Sequence, residues 1–259
     1  MGWSEDVTNV TADMTVYASW EIDDGYIHDS WETVVARAKE GTAAEYYRVG
    51  DKIALPLNYA DGTSETIDLH LAAFNAGKME DGSKCNIAFV CAHALKDLSA
   101  FCTTTITSSK AKIDVWSTNI DMQKHLDNDV FPALPSVLQE NILTRYMKTL
   151  GSNYANLKLW NLNFADIYTN MDLTGTRINL VPIFPDDESK KMYQVGSGTP
   201  VEWWLNSGYY TNNRYYMQII DANGFICGKA FTTVAECSSK YLDETPPSGL
   251  RGVVFGFCI

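Results

Sequence analysis

Four histidines, six cysteines and a few acidic clusters are the groups in this 259-residue chain that could do chemistry. His28, His70, His93 and His125 stand apart from one another. None falls in the H-E-x-x-H spacing that puts two ring nitrogens and a glutamate on one helical face, and no G-x-S-x-G elbow supplies a strained nucleophile. A Ser-His-Asp set can assemble from distant positions, but no motif anchors one here, so no catalytic residues are expected. Cys85, Cys91, Cys102, Cys227, Cys237 and Cys258 form no C-x-x-C pair and no Cys/His cluster with zinc spacing. They read as buried thiols of a reducing compartment, with Cys227 and Cys258 as a pair that neighbouring strands could bring together for oxidation. Asp23-Asp24, Asp127-Asn128-Asp129 and Asp186-Asp187-Glu188 offer calcium-binding oxygens. None has EF-hand spacing, and each reads as a solvated loop. There is no Gly-rich phosphate loop, so neither a metal nor a cofactor is expected.

Recognition chemistry is better represented. Tyr209, Tyr210, Asn212, Asn213 and Arg214 fall together in a turn-prone run and are the candidate ligand-binding residues. Tyr and Arg anchor binding patches, while Asn supplies adaptable hydrogen bonds. The tract Ser238 to Arg251, with Pro246-Pro247, is expected to complete the same face, and Cys227 to Glu236 to border it. Trp203, Trp204, Phe255 and Phe257 read instead as core, because strand-borne aromatics pack a sheet face.

The elements that must hold this loop emerge from periodicity. Tyr215 to Ile220 reads as a strand, Asn223-Gly224 as a type I′ turn and Phe225 to Phe231 as the return strand. The apolar run Gly252 to Ile259 must be a packed strand, since exposed it would be a sticky edge. Asp29 to Gly41 is the clearest helix. Asp29 and Glu32 make a capping-box-like start, Trp31, Val34, Val35 and Ala38 share a face, and Gly41 stops it. Strands are predicted at Tyr46 to Val49, Lys52 to Leu57, Glu65 to Phe74, Cys85 to Val90 and Leu157 to Leu162. In the strand over Glu65 to Phe74, Ile67, Leu69 and Leu71 point one way and Thr66, Asp68 and His70 the other. Helices are predicted at Ser117 to Leu126 and Pro135 to Ile142, the latter burying Leu134, Leu138 and Ile142. Cys102 to Lys112 reads as a surface loop, and Asn170 to Gly198 as a long surface excursion.

Two resemblances rest on quoted residues. Trp203-Trp204-Leu205-Asn206-Ser207-Gly208 and Gly252-Val253-Val254-Phe255-Gly256-Phe257-Cys258-Ile259 resemble motifs of an uncharacterised domain family of gut bacteria and their phages. That family reads W-W-L-R-S-P and G-V-x-P-A-F-C-I. Its Arg and Pro are absent from the first motif here, and Phe255 and Gly256 stand at its Pro-Ala positions. The family is similar to C-type-lectin-fold proteins, including the variable proteins of diversity-generating retroelements. The calcium-lectin signatures Glu-Pro-Asn and Trp-Asn-Asp are missing. Gly2 to Trp20 resembles the closing part of a Listeria–Bacteroides repeat, with Thr15, Tyr17 and Ser19 alternating with Val16, Ala18 and Trp20. Such a half-module is expected to pair with the main domain or with another chain.

The resemblance implies an α+β chain: an N-terminal β extension and connector over residues 1–29, then a C-type-lectin-like domain over 30–259 with paired N- and C-terminal strands. It implies a non-enzymatic phage virion protein, in the tail as a receptor-binding part or decorating the capsid. Its partners would be copies of itself or other virion proteins through the N-terminal segment, and a host-surface glycan or protein at the loop face. The alternatives are a secreted or cell-surface bacterial adhesin and, by fold kinship alone, a formylglycine-generating-type oxidase, which needs a poised cysteine pair. Composition agrees with the first two. Lys+Arg is 20 against Asp+Glu 32, a net charge of −12, which disfavours nucleic acid and anionic membranes. No run reaches membrane-spanning length and no Lys or Arg precedes Arg37, so the chain reads as neither a membrane protein nor a signal-bearing precursor.

Overall fold

Alternation of Ile67, Leu69 and Leu71 with Thr66, Asp68 and His70 fixes the register of the sheet on which the rest of the chain is built. The computed structural model describes residues 2–3, 18–19, 24–101, 121–148, 154–168, 176–211, 214–227 and 250–259. The architecture is mixed α+β with mostly antiparallel sheets. In the extension, β1 (Gly2–Trp3) and β2 (Ala18–Ser19) pair with each other, Gly2 opposite Ser19. At these residues the extension's ladder therefore closes within itself rather than on the domain.

The main sheet has five strands in the order β3-β4-β5-β16-β9. β3 (Lys52–Asn58), β4 (Ser64–Ala76) and β5 (Cys85–Cys91) form an antiparallel meander. Ile67, Leu69 and Leu71 are buried, as their period of two requires. Helix α1 (Trp31–Glu40) packs its Trp31, Val34, Val35 and Ala38 face into the core. Its N-cap is Ser30, whose Oγ accepts from the Thr33 N–H, and Gly41 ends it at φ 74°. Asp29, expected as the cap, instead accepts from Arg37 and from the Tyr47 hydroxyl.

The outer edge of β3 is closed by three devices. Lys52 exchanges backbone bonds with Gly25 and Ile27 at 2.8 and 2.7 Å, the Trp31 indole N–H donates to Ala54 O at 3.2 Å, and Pro56 has no N–H to offer. An open edge would template pairing with other chains. Ile27, within the stretch expected as connector, is itself in the core.

The remaining strands are β6 (Ser99–Ala100), β7 (Arg145–Lys148), β8 (Tyr154–Leu157), β9 (Trp160–Asn161), β10 (Met192–Tyr193), β11 (Pro200–Val201), β12 (Trp203–Thr211), β13 (Arg214–Ile220), β14 (Ile226–Cys227), β15 (Leu250–Arg251) and β16 (Phe255–Cys258). β16 is central: Phe257 lies opposite Phe89 of β5, and Gly256 lies between Val90 of β5 and Trp160 of β9. The Phe89 ring sits 5.3 Å from Trp31 and 5.6 Å from Phe257, both within aromatic pairing range. The apolar run thus fills the core as a strand. It does not pair with β1 or β2.

Several expectations are corrected. Residues 46–49 are not a strand: α2 (Ala43–Tyr46) ends there, with the Tyr47 N–H bonded to Ala43 O. The single strand expected over 157–162 is β8 and β9 with a bend between them. The described part of the expected surface excursion buries Ile178, Leu180, Phe184 and Met192, because its polar residues alternate with anchors that reach the core. Helix α3 (Asp121–His125) continues into a π turn, Leu126–Val130, and α4 (Ser136–Asn141) buries Leu138 as expected, with Leu134 and Ile142 flanking it. Residues 102–120 lie outside the described part, and with them the expected loop and the start of the predicted helix.

The cysteines are also corrected. Cys258 is joined to Cys85, not to Cys227, with the Cα atoms 5.4 Å apart, while Cys91 is a buried thiol. The bridge spans 173 residues of sequence, so in a chain-entropy account it restricts the unfolded chain strongly. Replacing both Cys85 and Cys258 by Ala should lower unfolding free energy by about 2–3 kcal/mol. Urea denaturation of the oxidised protein and this variant checks the value.

Candidate functional site

Local sequence builds the candidate site as a hairpin planted on the core. The two tryptophans at the start of β12 are fully buried. The Trp203 indole N–H donates to Lys190 O at 3.0 Å, and that of Trp204 to Ser99 O at 2.8 Å. β15 pairs with β6, which brings Arg251 over Trp204, 4.6 Å from the ring, with its Nε donating to Glu202 at 2.9 Å.

Beyond Trp204 the β12–β13 ladder is interrupted, and pairing resumes at Gly208. In the interruption the Asn206 N–H bonds to Leu162 O at 2.7 Å, and Ser207 Oγ accepts from the Phe164 N–H at 2.9 Å, at the start of α5 (Phe164–Ile167). A bulge bends its strand and re-aims the residues beyond it. Here those residues are the predicted site. Tyr209 lies opposite Tyr216, Tyr210 opposite Tyr215, and Thr211 opposite Arg214.

The expectation of a loop from Tyr209 to Arg214 is therefore corrected. Tyr209 and Tyr210 belong to β12, Arg214 opens β13, and only Asn212 and Asn213 connect them; those two lie outside the described residues. Tyr215 and Tyr216, outside the expected site, lie opposite Tyr210 and Tyr209 in the ladder. The readable signal was the symmetry of Tyr-Tyr-Thr-Asn-Asn-Arg-Tyr-Tyr about its centre. The described end of the tract Ser238 to Arg251 lies with Trp203 and Trp204 at the hairpin's base, so Arg251 does not join the distal residues. Residues 228–249, including the rest of that tract and most of Cys227 to Glu236, lie outside the described part.

The return turn also differs from expectation. Only Gly224 has positive φ, 87°, so the turn is not type I′. Asp221 builds it: the Gly224 N–H bonds to Asp221 O at 3.0 Å, and Asp221 Oδ1 accepts from Asn223 N at 2.8 Å and Phe225 N at 2.9 Å. A Cβ on Gly224 would lie 1.7 Å from Asp187 O, so this turn rests directly on the 186–191 segment. Asp221→Ala should cost about 1–2 kcal/mol, as loss of a capping carboxylate does. Chemical denaturation of that variant is the measurement.

The described groups considered for catalysis have defined surroundings. Burial pushes the Cys91 thiol well above the ordinary range, away from a reactive thiolate. Burial lowers the His70 pKa, opposed by a hydrogen bond to Gly50 O. His28 meets Asp24 at 3.1 Å, His93 lies 3.8 Å from Asp68, and His125 Nδ1 lies 2.9 Å from Asp129. Asp187 and Glu188 pair with Lys190 and Lys191, and Asp186 caps the Ser189 N–H. Among the described residues no group of three or more His, Cys, Asp or Glu could hold a metal ion. A cavity of about 340 Å³ beside Met79, Glu80, Asp81, Leu143 and Thr144 is lined by none of the hairpin residues.

Comparison with protein-family models, with curated proteins and with solved structures finds no match to this chain.

Proposed function

We propose that this protein is a phage virion component with a C-type-lectin-like domain, and that the distal end of the β12–β13 hairpin is its ligand-binding face. The supporting observation is the register that brings Tyr209, Tyr210 and Arg214 to one hairpin end, flanked by Tyr215 and Tyr216. Aromatic residues and Arg dominate binding energy where they cluster. The base of that hairpin is fixed by buried tryptophans, so the recognition residues stand on a rigid support. The extension would tether the domain to other virion proteins or to copies of itself, and repetition would convert weak single contacts into avidity.

Ala at Tyr209, Tyr210 and Arg214 together should weaken host-cell binding by about tenfold or more without lowering the melting temperature. Normal cell binding by this variant would remove the hairpin from the reading. Deleting residues 1–21 should leave the domain folded and abolish assembly with its partner.

One observation favours the cell-surface adhesin as a second reading. The Cys85–Cys258 disulfide suits an oxidising location, as for secreted proteins. Capsid and tail genes beside this one would support the virion reading, and a sortase signal or cell-wall modules the adhesin.

A further inference from the structure

Three of the four histidines gather where residues 24–28 meet the main sheet. Those residues lie along β3 as a strap. The Ile27 N–H donates to Lys52 O at 2.7 Å, and the Lys52 N–H to Gly25 O at 2.8 Å. The side-chain bond from strap to sheet is that of the Tyr26 hydroxyl, which donates to Asp68 Oδ2 on β4 at 3.0 Å. The same oxygen lies 3.8 Å from His93 Nε2. His28 is on the strap itself, with Nε2 3.1 Å from both Asp24 oxygens, and Asp24 Oδ1 also accepts the Tyr26 N–H at 2.9 Å. His70 lies opposite Lys52 in the ladder, with Nδ1 3.3 Å from Gly50 O. Lys52 Nζ stands 6.0 Å from the centre of the Tyr26 ring. The charged and titratable groups about Asp68 are thus Asp24, Tyr26 and His28 on the strap, Lys52 on β3, His70 on β4 and His93 beyond β5.

We propose that this strap is an acid-released latch, in which protonated His93 draws Asp68 away from Tyr26. Histidine is the side chain whose charge ordinarily changes between about pH 8 and about pH 5. Two donors share Asp68 Oδ2, and only an imidazolium brings a full charge of its own to that oxygen. It also offsets the carboxylate charge that holds the Tyr26 hydroxyl. Within the strap, acid acts the other way. The Tyr26 N–H, ahead of His28, lowers the Asp24 pKa, so Asp24 stays ionised and pairs more strongly with a charged His28. The strap therefore keeps its own turn while it loses its side-chain bond to the sheet. His70 adds to the release. Burial lowers its pKa, against the bond to Gly50 O, and Lys52 and His93 lower it further. The stability owed to its neutral ring is full above the value in the unfolded chain, about 6.5, and is lost as the pH falls through the folded value. Release opens the Lys52 end of the β3 edge and frees the segment that joins the extension to the domain.

The test is amide hydrogen exchange of the full chain at about pH 7.5 and about pH 5, corrected for the intrinsic pH dependence of exchange. Protection of the Ile27 and Lys52 amides should fall by about threefold to fivefold on acidification, the scale of one partly exposed ion pair. The Phe89 and Phe257 amides, in the β5–β16 ladder, should not change. His93→Gln should remove at least half of the fall, and His93→Gln with His70→Gln all of it. His28→Gln should leave it in place. Tyr26→Phe, which lacks the hydroxyl, should show the low protection at both pH values. Equal protection of Ile27 and Lys52 at the two pH values in the wild type would overturn the latch. So would a fall that Phe89 and Phe257 share, since the whole domain would then be loosening. A full fall that survives His93→Gln would overturn the role of His93 and with it the competition at Asp68.

Discussion

Replacing Gly256 by Ala should lower unfolding free energy by about 3 kcal/mol, at the upper end for overpacking a core. The reason is the Trp160 ring, which lies flat against this backbone position. A Cβ at residue 256 would meet Trp160 Cη2 at 2.4 Å, Cζ3 at 2.7 Å and Cζ2 at 2.8 Å. Neither side can give way: β16 is held between β5 and β9, and Trp160 is fully buried. In a protein of this size the loss reads as a fall in melting temperature of about 6–12 °C. The partner is specific, so in a Trp160→Leu background the same change should cost less than about 1 kcal/mol, a coupling that a double-mutant cycle measures. An unchanged melting temperature for Gly256→Ala would show that the ring does not lie against residue 256.

A comparable loss, about 3–5 kcal/mol, is expected for Asp166→Ala. Arg145 and Asp166 are both 1% exposed. Arg145 Nη2 lies 2.9 and 3.1 Å from the two carboxylate oxygens and 3.1 Å from Thr176 O. The carboxylate also accepts the Ile178 N–H at 3.0 Å, which ties the 176–180 segment to the pair. Removing Asp166 leaves a buried guanidinium whose Nε and Nη1 already have no partner, with the Trp160 ring at 4.3 Å. Replacing both members, Arg145→Met with Asp166→Leu, should recover most of the stability, because a matched apolar pair carries no desolvation cost. Urea unfolding separates the cases, and an Asp166→Ala loss below about 1 kcal/mol would contradict the burial of the pair.

Local periodicity made the α1 face, the alternation of β3 to β5, the buried Trp203-Trp204 pair and the packed strand at 255–258 legible. Each of these is written within one segment. Partners from distant segments were not legible. Nothing near Cys258 points to Cys85, and nothing near Arg145 points to Asp166, because those choices are made by the assembled sheet. Residues 46–49 look β-prone, but the helical turn before them and the Arg37–Asp29–Tyr47 contacts override propensity. Tyr209 to Arg214 was misread for a different reason: Asn-Asn signals a turn, and the strands on either side of it were absorbed into that turn. For Asn223-Gly224 the competing chemistry was Asp221, whose carboxylate bonds two backbone N–H groups and lengthens the turn.

The position of β16 has a consequence for the order of events during synthesis. The strands β3 to β5 are made early and can pair as a meander while translation continues, since their contacts are local. Among the described strands, β9 joins that sheet through β16, which follows the others in the chain. Until residues 255–258 emerge, Phe89 and Val90 border an unfilled slot, and the Cys85 thiol has no partner. The nascent chain therefore carries an open sheet edge from the emergence of β5 to that of β16, the state in which growing chains are most exposed to mispairing with their neighbours.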